Sequence, residues 1–144
     1  MKPKVKILTV GKPEKWAYPA VEHWKKRIQA LGDVEIISLR SDTKKLDDIV
    51  KSPAEFPIAL TRSGKMLTSP QWAEMLEEFA IVGIVPIFLI GDAEGLPQKI
   101  IAQCKRRISL SPATFQHDVA LIVLLEQIYR ALTIMAKLPY HRGE

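Results

Sequence analysis

Ile84-Val85-Pro86-Ile87-Phe88-Leu89-Ile90-Gly91-Asp92-Ala93-Glu94-Gly95-Leu96-Pro97 is an apolar run that stops at two glycines and two carboxylates and then meets a proline. A β-branched, apolar run bounded by turn residues reads as a buried strand (84–90), and Pro97 suits the first position of a helix. A strand apolar along its whole length belongs in a parallel sheet with helices on its faces. The two glycines let backbone approach a ligand closely, and the helix start beyond them offers unpaired N–H groups. As it stands, the same loop also reads as an ordinary strand-to-helix turn.

Working outward, the pattern repeats. Apolar runs at Lys4–Val10, 34–39, 56–60 and 108–110 supply four further strands. Helical periodicity falls between them: 19–31 with Val21, Trp24 and Ile28 on one face, 42–51, 71–80 with Ser69 as N-cap and Pro70 at N1, a helix from Pro97, and a last helix over about 117–137. The order β-α-β-α-β-α-β-α-β-α predicts an α/β fold, a mostly parallel sheet with helices on both faces. No repeat, low-complexity tract or linker divides the chain, so a single domain over 1–144 is expected. In such sheets ligands lie beyond the carboxyl ends of the strands, which directs attention to the loops after Leu60, Ile90 and Leu110.

Composition excludes several classes. The one cysteine, Cys104, forms no internal disulfide, and three histidines without CxxC or HxxxH spacing give no zinc site, so no metal is expected. The N-terminus alternates lysine with apolar residues, unlike a secretory signal, and the most apolar stretch, 79–90, is interrupted by Gly83 and Pro86. A soluble, cytoplasmic protein is expected. A formal charge of +5 favours an anionic partner but also suits an ordinary solvated surface. Neither a Walker motif nor GxGxxG occurs, which disfavours phosphate-loop chemistry.

Three more segments carry chemistry-bearing residues. Ser109-Leu110-Ser111-Pro112-Ala113-Thr114-Phe115-Gln116-His117 joins the last strand to the last helix, with Thr114 or Gln116 as cap, Asp118 in the first turn, and His117 as either a proton acceptor or a structural hydrogen-bonder. Pro139 ends that helix and Tyr140, His141 and Arg142 follow, where a frayed terminus is the bland expectation. Glu126 and Arg130 have the spacing of an intrahelical ion pair, and Lys105-Arg106-Arg107 suits a helix C-terminus. Val119, Ile122 and Val123 make the first turns of the last helix apolar nearly all round, as a homodimer seam or a deeply buried helix requires.

These segments together carry a resemblance. Phe88-Leu89-Ile90-Gly91 with Glu94-Gly95-Leu96, Ser109-Leu110-Ser111 with Thr114-Phe115 and His117, Leu125-Glu126-Gln127-Ile128-Tyr129-Arg130-Ala131, and Pro139-Tyr140-His141-Arg142 resemble the large-subunit ribosomal RNA methyltransferase H family of the SPOUT superfamily. Weaker correspondence runs through Leu60, Gly64-Lys65 and Gln71 to the first strand, so the likeness covers essentially the whole chain.

The resemblance implies a knotted, homodimeric methyltransferase that transfers a methyl group from S-adenosylmethionine to N3 of a pseudouridine in large-subunit ribosomal RNA, with the assembled ribosome as expected substrate. It implies cofactor contacts at Leu60, Gly91, Leu110, Ser111, Pro112, Ala113, Thr114 and Phe115. It implies catalytic roles for Tyr140 and His141, reaching the partner protomer's site, and for His117. Two positions depart from the family: Asp92 stands where a second glycine is common, and Leu121 where an arginine often follows the histidine. The competing expectations are a non-catalytic RNA- or ribosome-binding protein on the same fold, a methyltransferase for a different RNA, and, against the motif evidence, a nucleotide-binding enzyme using the 91–95 loop.

Overall fold

A computed structural model describes residues 2–40 and 43–143. Its elements are β1 (Lys4–Val10), a single 3-10 turn (Lys15–Ala17), α1 (Tyr18–Gln29), β2 (Asp33–Leu39), α2 (Thr43–Lys51), β3 (Glu55–Met66), α3 (Ser69–Val82), β4 (Val85–Ile90), α4 (Gln98–Gln103), β5 (Arg106–Ser109) and α5 (His117–Met135). The alternation read from the sequence is borne out; Asp42, the expected start of α2, lies outside the described residues.

The strands form one sheet in the order β2-β1-β4-β3-β5, and every pairing is parallel. Period-two alternation sorts the side chains by face. Ile7, Ile58, Phe88 and Ile108 point to one face, where α1, α3 and α5 pack around Leu76, Leu121, Leu124 and Ile128. Leu8, Val10, Ala59, Ile87 and Leu89 point to the other, covered by α2 and α4 through Leu46, Val50, Ile100 and Ile101. β4 is the central strand and its last five residues are buried, as its unbroken apolar run requires. Each fully buried Leu or Ile of α5 contributes about 1.5–3 kcal/mol by leaving water, enough to make that helix the main prop of its face.

Several local expectations are corrected. The N-cap of α3 is Thr68, not Ser69: the Thr68 hydroxyl accepts from Gln71 N at 3.3 Å while Gln71 Oε1 accepts from Thr68 N at 2.8 Å. This reciprocal pair satisfies two otherwise orphaned donors, and it leaves the Ser69 hydroxyl free to donate to Gln127 on α5 at 2.9 Å. Lys105-Arg106-Arg107 does not end a helix. α4 stops at Gln103, Lys105 N donates to Pro57 O at 2.9 Å, and Arg106 enters β5 with its guanidinium over the rings of Phe56 and Phe79.

The third strand runs past Leu60 to Met66, because its ladder with β5 restarts after an excursion. Leu60 and Lys65 both lie opposite Ile108, so the residues between them bulge from the sheet. Gly64 closes the bulge: a Cβ there would stand 2.6 Å from the Ile108 carbonyl carbon. Among the described residues, no helix is long and apolar enough to cross a membrane.

Candidate functional site

The register brings the three flagged loops to one edge. Ala59 pairs with Leu89 and Leu60 with Ile108, so Leu60 sits between the end of β4 and the end of β5. Gly91 follows β4 directly, and Leu110 follows β5. Leu60, Gly91, Leu110, Ser111 and Phe115 are half-buried, while Pro112, Ala113 and Thr114 are exposed.

The Gly91 loop is compact. Asp92 Oδ1 accepts from Glu94 N and Asp92 O from Gly95 N, both at 2.9 Å, and Gly95 takes φ +81°. The loop closes so tightly on Gly91 that a Cβ there would collide with the backbone of Gly95 and Leu96. Asp92 therefore spends one carboxylate oxygen on shaping its own turn. The 110–115 loop is shaped the same way, with the buried Ser109 hydroxyl donating to Ser111 O at 2.9 Å and Ser111 Oγ accepting from Ala113 N at 3.0 Å.

Of the two expected caps for α5, Gln116 serves, its Oε1 accepting from Asp118 N at 2.9 Å and Val119 N at 3.2 Å. Asp118 does more than face a helix dipole. It is buried, its Oδ2 accepts from Glu14 N at 2.9 Å, and its Oδ1 lies 2.7 Å from His117 Nδ1. A carboxylate can only accept, so Nδ1 carries the proton and Nε2 of the neutral ring keeps a lone pair. That Nε2 is shielded from solvent and has no hydrogen-bond partner among the described residues.

Tyr140 and His141 lie elsewhere. The segment after α5 folds back on its own helix, where Tyr140 Oη donates to Glu126 Oε2 at 2.8 Å and Arg130 Nη1 lies 3.1 Å from His141 Nδ1. Arg130 also donates to Glu126 Oε2 through Nε at 3.1 Å and Nη2 at 2.8 Å, so the expected ion pair is present and has a second task. Arg27 of α1 lies over the rings of Trp24, Tyr129 and Tyr140, with Tyr129 and Tyr140 edge to face at 4.8 Å. Burial, then the Glu126 carboxylate that accepts its proton, raises the Tyr140 phenol above its ordinary pKa.

One chain thus brings Leu60, Gly91, the 110–115 loop and His117 together but not Tyr140 and His141. The nine steps from His117 to Glu126 span about 14 Å of helix at 1.5 Å per residue. Sequence reasoning misses Arg27, whose partners Tyr129 and Tyr140 lie about a hundred residues away, and Glu14, which acts through backbone; neither of these roles leaves a local signal.

The SPOUT family model described as "Predicted SPOUT methyltransferase" matches residues 3–141. The ribosomal RNA large subunit methyltransferase H of Synechococcus sp. strain CC9605 is 37% identical, the alignment covering 97% of this chain and 97% of that protein. A protein of the same name from Thermus thermophilus is 33% identical over 96% of this chain and 98% of its own length. This chain belongs to the ribosomal RNA large subunit methyltransferase H family.

Among solved structures, a probable methyltransferase from Bordetella pertussis superposes with a TM-score of 0.63 over 91% of this chain and 95% of its own, at 14% identity. The SpoU methyltransferase AviRb of Streptomyces viridochromogenes, solved with AdoMet, gives 0.53 over 90% of this chain and 58% of its own, at 10% identity. Both likenesses speak for the SPOUT fold. Leu121 is fully buried against the core.

Proposed function

We propose that this chain is an S-adenosylmethionine-dependent ribosomal RNA methyltransferase acting on N3 of a pseudouridine, as a cytoplasmic homodimer and on the assembled ribosome. The observation that carries the reading is the convergence of Leu60, Gly91 and the 110–115 loop at one sheet edge, beside a histidine whose inner nitrogen is held by a buried carboxylate. The residues fit the donor: glycine at 91, where a Cβ would strike the Gly95 and Leu96 backbone, keeps the loop closed as a compact backbone cradle, and the flanking loop is neutral and rich in small side chains. Bound there, S-adenosylmethionine supplies an electrophilic methyl carbon on a sulfonium.

The chain's own residues must hold the nucleophile in line and take away its proton. Orientation of two bound groups is worth roughly 7–11 kcal/mol of barrier. Asp118 fixes the His117 tautomer, so Nε2 is the acceptor for the N3 proton. His141 is the opposite case: its Nδ1 accepts from Arg130, so the neutral ring carries its proton on Nε2 and donates. A donor beside a base suits a pyrimidine, whose carbonyl oxygens flank N3.

The separation between His117 and the Tyr140 seat favours delivery of the 139–142 segment to the partner's cleft. Exposed Trp16, Tyr18 and Val119, joined through the Glu14–Asp118 bond, offer apolar surface for the partner. We further propose the knotted path that the resemblance implies. The deciding test is incubation with labelled S-adenosylmethionine and ribosomes from a strain lacking the gene, followed by mapping of the modified nucleotide. Label at N3 of a pseudouridine is expected; cofactor binding without label on any RNA would sink the reading.

A further inference from the structure

Among the described residues, two buried side-chain atoms have no hydrogen-bond partner: His117 Nε2 and Thr61 Oγ1. Buried polar groups are paired as a rule, because an unmade bond away from water is costly. His117 has a place in the reaction proposed above, and Thr61 has none so far.

Its position is informative. Thr61 follows Leu60 at the point where β3 leaves its ladder with β5, the first residue of the bulge that Gly64 closes. The last rung between β3 and β4 joins Ala59 to Leu89, and continuing that register by two residues sets Thr61 beside Gly91. Ala59, two residues earlier, packs on the face of Leu96, and Leu60 packs on the opposite face. Leu60 and Thr61 therefore bring an apolar group and a buried, unpartnered hydroxyl to the same strand end, next to the backbone cradle at Gly91.

Resting on the reading of this cleft as a methyl-donor site, we infer that the Thr61 hydroxyl hydrogen-bonds the methyl donor itself. A threonine hydroxyl both donates and accepts, so it matches the donor's ribose hydroxyls and its amino-acid group alike. The bulge serves this contact: by lifting the chain off β5 between Leu60 and Lys65, it exempts Thr61 from the ladder and holds its hydroxyl at the sheet edge.

Isothermal titration of the wild type, Thr61→Val and Thr61→Ser with S-adenosylhomocysteine and 5′-methylthioadenosine tests it, alongside thermal melting without ligand. Valine keeps the shape and removes the hydroxyl. A roughly tenfold rise in Kd is expected for Thr61→Val, about one hydrogen bond, with affinity retained in Thr61→Ser. The unliganded melting temperature should hold or rise, since no protein bond is lost. A loss shared by 5′-methylthioadenosine assigns the contact to the nucleoside half, and a loss confined to S-adenosylhomocysteine assigns it to the amino-acid half. Equal affinities for wild type and Thr61→Val overturn the inference while leaving the site reading intact. Failure of the wild type to bind either compound takes down both.

Discussion

Tyr140 donates its phenol proton to Glu126 Oε2 at 2.8 Å, and the same carboxylate oxygen takes two guanidinium bonds from Arg130. One oxygen therefore gathers the segment after α5 and the arginine that orients His141. Glu126→Gln weakens all three bonds while keeping the shape. Charged hydrogen bonds are worth about 1.5–3 kcal/mol, so turnover should fall at least tenfold by methylation assay, with calorimetric affinity for cofactor unchanged. Equal turnover would remove this segment from catalysis.

The Tyr140 phenol, raised by burial and by Glu126, titrates later in the folded protein than in the unfolded chain. The folded state then favours the protonated form, so its stabilising effect is complete below the ordinary tyrosine value of about 10 and disappears as pH rises through the folded value. Absorbance at 295 nm should show one tyrosine ionising after the others, and Tyr140→Phe should abolish that late step.

Asp118→Asn keeps an oxygen for Glu14 N but turns an amide donor toward His117 Nδ1, forcing the ring into the other tautomer. Disturbing this buried pair should cost about 1–3 kcal/mol in urea unfolding, and nitrogen NMR should report the proton moved to Nε2. Methylation should fall further than stability alone explains.

Gly91→Ala places a methyl group against the Gly95 and Leu96 backbone. The loop must open to admit it, and overpacking of this kind costs about 1–3 kcal/mol. Loss of cofactor affinity should exceed the loss in melting temperature, because the displaced backbone is the cradle itself.

Burial pushes the Cys104 thiol up to about 11. Only a small thiolate fraction exists at pH 8, so a disulfide reagent should react with the native protein far more slowly than with urea-unfolded protein.

What is legible in the sequence is whatever has a local period or a local partner. Strand 84–90 announces itself through an unbroken apolar run, and its loop through two glycines, because burial on both faces and a tight turn impose those residues directly. Arg106 defeats a local reading because its counterparts, Phe56 and Phe79, come from another strand and another helix. Ser69 resembles a cap because Pro70 follows it, whereas the capping geometry depends on the Thr68–Gln71 pair one residue earlier. His117 is visible as a residue type, but its tautomer depends on Asp118 and on a backbone group at Glu14 that no spacing rule connects to it. The seat of Tyr140 is invisible for the same reason: Arg27 comes from the first helix.

That arginine ties the two ends of the chain together. Closing a contact between residue 27 and residues 129 and 140 demands a loop of about a hundred residues, an entropic cost that neither helix meets alone. The seat for Tyr140 and His141 is thus assembled only on a chain whose first and last helices have already met. The aim of those two side chains therefore depends on the docking of α1 against α5, far from the glycine loop itself.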